Sequence, residues 1–207
     1  FLNDCVTDNI IKSARICKEE TDGKKITCAF YGYSMRNAGS MAVMNGGSQG
    51  LNKVLESPYV DFLSCPSDYD ERNAGDPGPF MSGYNGSYRL HNKLYWDEAD
   101  IRTHLYNRAE YGRTEDLPET ISVLKRCFGY SMTKGTALWW FLLAGNATFH
   151  QEEIMTAMAG MEKAGTENLD ADKSSVAKTA LFVDEESMYF TSPVRGGLVQ
   201  KLIWEVY

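Results

Sequence analysis

Four short, near-continuously apolar runs, separated by segments of helical periodicity, constrain this chain more than any other feature. They lie at 26–33 (ITCAFYGY), 60–66 (VDFLSCP), 93–98 (KLYWDE) and 136–144 (TALWWFLLA). None alternates apolar with polar residues, so each predicts a strand buried on both faces, as in a parallel sheet. Helical faces lie before, between and after them. Val6, Ile10, Ala14 and Cys17 make one, and Leu51, Val54 and Leu55 a shorter one. Ile121, Leu124 and Phe128 make a third, and Ile154, Met158 and Met161 a fourth. The order α-β-α-β-loop-β-α-β-α builds βαβ units and predicts the α/β class.

Two connections are longer than such units need. Residues 67–92 are rich in Gly, Pro, Asn, Asp and Ser, and 102–117 are polar with two tyrosines. Both follow the C-terminal end of a strand, where parallel α/β proteins build their sites. A polar stretch at 165–175 (GTENLDADKSS) reads as a linker. Beyond it a fresh strand is expected at 180–183, then a helix with Leu198, Leu202 and Val206 on one face. The expected organisation is a first domain at 1–165, a linker at 166–175 and the start of another α/β domain at 176–207.

Composition removes several functions. The 207 residues carry a net charge of -7, and their Lys and Arg are interleaved with acids. No basic stripe exists for phosphates, so neither nucleic acid nor an anionic membrane surface is an expected partner. No apolar run approaches the roughly 18 residues of a membrane span. Five cysteines without a CxxC spacing argue against a zinc cluster or a disulfide framework. Cys28 and Cys65 sit in apolar runs and read as buried small hydrophobes, which, with no leader visible, favours the cytoplasm. His91, His104 and His150 lack metal spacing. Gly46-Gly47 and Gly196-Gly197 lack the flanking strand and helix of a nucleotide loop. Neither a metal nor a cofactor is expected.

The chemistry concentrates in 93–104, KLYWDEADIRTH. An apolar strand ends abruptly in Asp97, Glu98 and Asp100, followed by Arg102 and His104. A carboxylate at such a strand end can enter a central cavity, and a nearby Arg can keep it ionised by charge pairing. A carboxylate nucleophile needs that arrangement; the plainer reading is a solvated acidic loop. Tyr31 and Tyr33 close the first strand and could bond a sugar hydroxyl or stack on a ring, or else pack at the rim of a core. Tyr69 follows the second strand, with Arg72 close behind. Trp139 and Trp140 lie within the fourth strand, either as core or with one of them a sugar platform. Asn85-Gly86-Ser87 and Asn146-Ala147-Thr148 are formal glycosylation sequons.

In this order, FYGY, VDFLSCPSDYDERNAG, RLHNKLYWDEADIRTH, ALWWFLL and SSVAKTALFVDEES together resemble the beta-galactosidase-like glycoside hydrolases, family 42 and its clan A relatives. The resemblance spans nearly the whole chain and is most specific from His91 to His104. It implies the C-terminal half of a (β/α)8 TIM barrel, strands five to eight, followed by the start of a flavodoxin-like domain tied to trimer formation. It makes Glu98 the nucleophile of a retaining hydrolase, with Tyr31, Tyr33, Tyr69, Asp100, Arg102, Trp139 and Trp140 toward a carbohydrate substrate. The clan's acid/base Glu follows an Asn at the fourth strand, and no such pair stands at a strand end here. A whole barrel takes about 250 residues. The resemblance therefore implies a fragment of a longer parent, inactive alone and prone to self-association. Two other readings stand beside it: a non-catalytic carbohydrate-binding or assembly protein on the same scaffold, and a metal-dependent hydrolase using Asp97, Glu98, Asp100 and His104.

Overall fold

The computed structural model describes residues 1–33, 46–69, 72–76, 81–142 and 148–190. Among these, helix α1 (Leu2–Glu20) precedes strand β1 (Cys28–Phe30), then α2 (Leu51–Glu56), β2 (Phe62–Pro66) and α3 (Asn85–Leu90). Strand β3 (Leu94–Ala99), α4 (Leu117–Lys134), β4 (Ala137–Trp140) and α5 (Glu152–Glu167) follow, and a 3-10 turn at Glu186–Phe190 comes last. The strands form one all-parallel sheet in the order β1-β2-β3-β4. Cys28 stands opposite Phe62 and Phe30 opposite Ser64. Parallel neighbours cannot be joined by a hairpin, and α2, α3 and α4 each lie in a crossover between consecutive strands. The chain is α/β, as the four apolar runs require.

Expectation and structure part at several places. Only β2 is buried at every position; β1 exposes Cys28 and Phe30, β3 alternates, and β4 is half-buried throughout. Strands β1 and β4 end the strand order, so among the described residues each lacks a neighbour on one side. Cys28 is accordingly exposed rather than buried, unlike Cys65. The stretch 67–92 is not all loop, because α3 forms within it. Its sequence, NGSYRL, is made largely of turn formers and no side chain caps its start. What holds it is tertiary: Tyr88 is fully buried and meets Tyr95 edge-on at 5.1 Å.

No strand forms at 180–183. These residues are irregular, and Phe182 is almost fully exposed. The Asp184 carboxylate instead accepts from the backbone N–H groups of Glu186 (3.1 Å) and Ser187 (3.4 Å), which starts the 3-10 turn. A side chain that satisfies the backbone locally competes with extended pairing. The helix expected around Leu198, Leu202 and Val206 lies outside the described residues, as do 143–144 of the fourth run and Asn146 and Ala147 of the second sequon.

Two compact units divide the chain. The first takes Phe1–Cys65, Met81–Trp96 and Ala177–Tyr207; the second takes Pro66–Phe80 and Asp97–Val176. In the first unit, Leu51, Val54, Leu55, Val60, Leu63, Met81 and Tyr88 are buried. Lys18 near the end of α1 pairs with Asp61 at 2.6 Å, and the same carboxylate accepts from the Thr27 N–H at 2.6 Å. That pairing ties α1 to the residue before β1. Gly83 lets the tyrosines close up: a Cβ there would stand 2.6 Å from the Tyr95 ring and 2.9 Å from the Tyr88 hydroxyl.

The second unit holds a core of Ala99, Ile101, Val123, Leu124, Cys127, Phe149, Ile154 and Met161, with Leu138 and Trp140 packed against it. Helix α4 supplies much of it, and its limits are written in the sequence. Asp116 accepts from the Glu119 N–H at 2.9 Å, and Glu119 reaches back to the Glu115 N–H at 2.5 Å. Pro118 occupies the first turn, where its missing donor is harmless. Gly135 ends the helix at φ 66, the left-handed conformation that glycine adopts without strain.

Candidate functional site at the end of strand β3

Period-two geometry sorts the acidic run. Asp97 and Ala99 are buried, Ala99 in the core with α4 and α5, while Glu98 is half-buried on the opposite face. Asp97 therefore points at the helix layer. It accepts from Ser67 Oγ at 3.1 and 3.2 Å and from Ser131 Oγ of α4 at 3.4 Å. Burial pushes its carboxyl up to about 7, against the opposing pull of the Ser67 hydrogen bond and the Arg72 charge.

Glu98 is placed differently. Its backbone carbonyl accepts from the Ser67 N–H (3.1 Å), which continues the β2–β3 ladder. Among the described residues, its carboxylate makes no hydrogen bond and no ion pair. Burial and the neighbouring Asp100 charge raise its pKa, and the Arg72 charge opposes them.

Asp100, just past the strand, is the hub. Arg72 Nη2 lies 2.6 Å from its Oδ1; Arg102 Nη1 donates to its Oδ2 at 2.9 Å and Tyr69 Oη at 3.0 Å. Arg72 is 1% exposed and spends its other donors on backbone: Nε on the Asp68 carbonyl, Nη2 on Ser67 O at 2.6 Å, Nη1 on Asp100 O at 3.2 Å. One buried guanidinium thus ties the loop after β2 to the loop after β3. Its carbon lies 4.2 Å from the Tyr69 ring centroid. Arg102 lies 5.4 Å from that ring and 4.9 Å from Tyr111, and the two rings meet edge-on at 5.2 Å. Burial and then the Asp100 charge push the Tyr69 phenol up to about 12.

The loop 102–117 is irregular, as expected, yet internally tied. Arg113 donates to the carbonyls of Tyr106 (2.7 Å) and His104 (3.0 Å). The Thr114 N–H reaches the Arg102 carbonyl at 3.0 Å, and its hydroxyl meets Thr120 of α4 at 2.6 Å.

The candidate residues fare unevenly. Glu98, Tyr69, Asp100 and Arg102 gather at one strand end. The carboxylate that Arg102 pairs with is Asp100, which also accepts the Tyr69 hydroxyl. Tyr31, in the other unit, is 2% exposed, and its hydroxyl accepts the Gly50 N–H at 3.1 Å. A ring enclosed in that way has no face for a sugar. Tyr33 is half-buried and lies in the other unit too. Trp140 is half-buried and packs against the helix-side core, 6.5 Å from Phe149, the core alternative of its two readings. Trp139, one residue earlier, projects to the opposite face of the sheet, the same face as Glu98, and meets Phe141 edge-on at 5.3 Å.

Among the described residues, the three acids and the histidine of the metal reading form no ligand set. Asp97 and Glu98 diverge across the sheet, and His104 Nδ1 is engaged with Thr120 Oγ1 at 2.8 Å. No described helix is long and apolar enough to cross a membrane. Sequence reasoning passed over Tyr111, and it noted Arg72 without giving it a role. The signal for Arg72 was its place in a loop just past a strand end, in a stretch of chain that already carries Tyr69. Compared with family models, curated proteins and solved structures, the chain finds no match.

Proposed function

We propose that the chain belongs to a retaining glycoside hydrolase acting on a β-galactoside-like sugar, with Glu98 as its nucleophile. The observation that carries this reading is the division of labour at the end of β3. Asp97 and Asp100 are consumed by structural partners, whereas the Glu98 carboxylate has none among the described residues and lies on the face away from the helix layer. The Asp100–Arg72–Arg102–Tyr69 cluster beside it fixes the strand end, which is the preorganisation a reacting group needs. Trp139 on the same face, and Tyr69 at its edge, offer apolar surface to a pyranose.

In this reading the Glu98 oxygen attacks the anomeric carbon as the glycosidic bond breaks. The leaving oxygen takes a proton from a second carboxylic acid, the acid/base partner that such a mechanism requires. Water then cleaves the glycosyl ester, returning its proton to that second group. The two carboxyls would stand about 5–5.5 Å apart. In the full-length protein, Glu98→Gln lowers turnover of aryl β-glycosides by roughly 10⁴-fold or more. Activity near wild type refutes the assignment.

The upward shift of Glu98 favours one second reading, in which Glu98 carries the proton and the unseen acid attacks. Azide separates the two in a Glu98→Gly variant. A glycosyl azide of inverted configuration marks Glu98 as nucleophile, and a retained one marks it as the acid/base. Sugar binding without turnover in the wild-type protein identifies a carbohydrate-binding protein instead.

A further inference from the structure

We propose that Tyr111 is a sugar-stacking residue of this site, its ring packing against a pyranose of the substrate; this rests on the glycoside hydrolase reading above. Tyr111 has φ 47, the left-handed region that a bulky side chain rarely adopts. Strain of that kind persists only where the surroundings over-determine it, and it clusters at ligand clamps. Here the surroundings do so. Gly112 follows at φ 69, and any Cβ on it would collide with Arg72 Cβ and stand 3.0 Å from the Arg72 carbonyl carbon. The Tyr111-Gly112 turn is thereby pressed against the buried arginine that holds Asp100.

The result is an aromatic ring fixed in place and left half open, 52% exposed. Arg102, itself only 4% exposed, covers the inner face at 4.9 Å from the centroid. Tyr69 closes one edge at 5.2 Å. Among the described residues, no ring or cation contact covers the outer face, which is left for a ligand. Arg102 and Tyr69 pack on one face and one edge, and the rest of the ring stays rigidly open, which suits the C–H groups of a sugar. The loop's internal ties through Arg113 and Thr114 keep it from collapsing inward.

The test uses the full-length protein and a panel of aryl β-glycosides. Tyr111→Gly relieves the left-handed strain, so it folds and melts close to wild type, and it raises KM about tenfold or more with kcat nearly unchanged. Tyr111→Phe keeps the ring and keeps the wild-type KM. An unchanged KM in Tyr111→Gly, with Glu98→Gln inactive, overturns this inference and leaves the hydrolase reading standing. A Tyr111→Phe variant as weak as Tyr111→Gly also overturns it, because the hydroxyl and not the ring is then what binds. No turnover of any glycoside by the wild-type protein overturns both.

Discussion

Asp97 gives the sharpest test of how the end of β3 is built. The side chain is fully enclosed, and its pKa rises from the ordinary 3.8 to about 7. Between those values the folded chain holds a proton that the unfolded chain has released. More protons on the folded side means that stability falls as pH rises through this window. The penalty is absent below about pH 4, grows up to pH 7 and is constant above it. Its full size is roughly 4 kcal/mol, from about 1.4 kcal/mol for each pH unit of displacement. Asn has the same shape and no charge, and the Ser67 and Ser131 hydroxyls can each donate or accept. Urea unfolding of wild type and Asp97→Asn at a series of pH values from 4 to 8 isolates the effect, because every other titration cancels in the difference. The variant should gain on wild type by several kcal/mol across the series. A difference that stays flat means that Asp97 ionises freely, so that it is not enclosed between Ser67 and α4, and the alternation argument for Glu98 falls with it.

Two further substitutions probe the frame around the site. Asp100→Ala leaves Arg72 and Arg102 buried without their carboxylate and should cost about 3–5 kcal/mol, read by denaturant unfolding; a loss under 1 kcal/mol shows that the cluster is solvated. Asp116→Ala removes the cap of α4 and should cost about 1 kcal/mol, seen as a lowered urea midpoint with an unchanged slope.

Legibility followed the range over which each feature is decided. The four strands and the four longer-patterned helices were readable because runs such as FLSC and faces such as Ile154–Met158–Met161 declare themselves within a few residues. Helix α3 was not readable, since its stability comes from Tyr88 meeting Tyr95, and NGSYRL alone resembles a turn. The segment 180–183 misled in the opposite direction: ALFV has strand composition, but among the described residues no strand pairs with it, and Asp184 recruits the chain into a 3-10 turn. At the site, Glu98, Asp100, Arg102 and Tyr69 were visible as a cluster, while the pairing among them was not. Which cation serves which acid depends on Arg72, whose reach to Asp100 joins two loops far apart in sequence.

The run Asp97-Glu98-Ala99-Asp100 gains its meaning from the pleat. Adjacent side chains on a strand leave on opposite faces, so two acids one residue apart meet different media. Asp97 enters the helix layer and tends to keep its proton, while Glu98 leaves toward the other face. Asp100, past the last strand residue, is no longer bound by the alternation and turns into two arginines. Arg72 then acts on all three: it neutralises Asp100, whose bare charge would push Glu98 further up, and its own charge lowers both Glu98 and Asp97. A one-residue slip of β3 would exchange the media of Asp97 and Glu98 and bury the Glu98 carboxyl among the helices. The register of this strand is held from both neighbours, by Ser67 N–H on the Glu98 carbonyl and by Phe141 N–H on the Ala99 carbonyl, each at 3.1 Å. The chemistry proposed for Glu98 therefore depends on the backbone ladder as much as on the carboxylate itself.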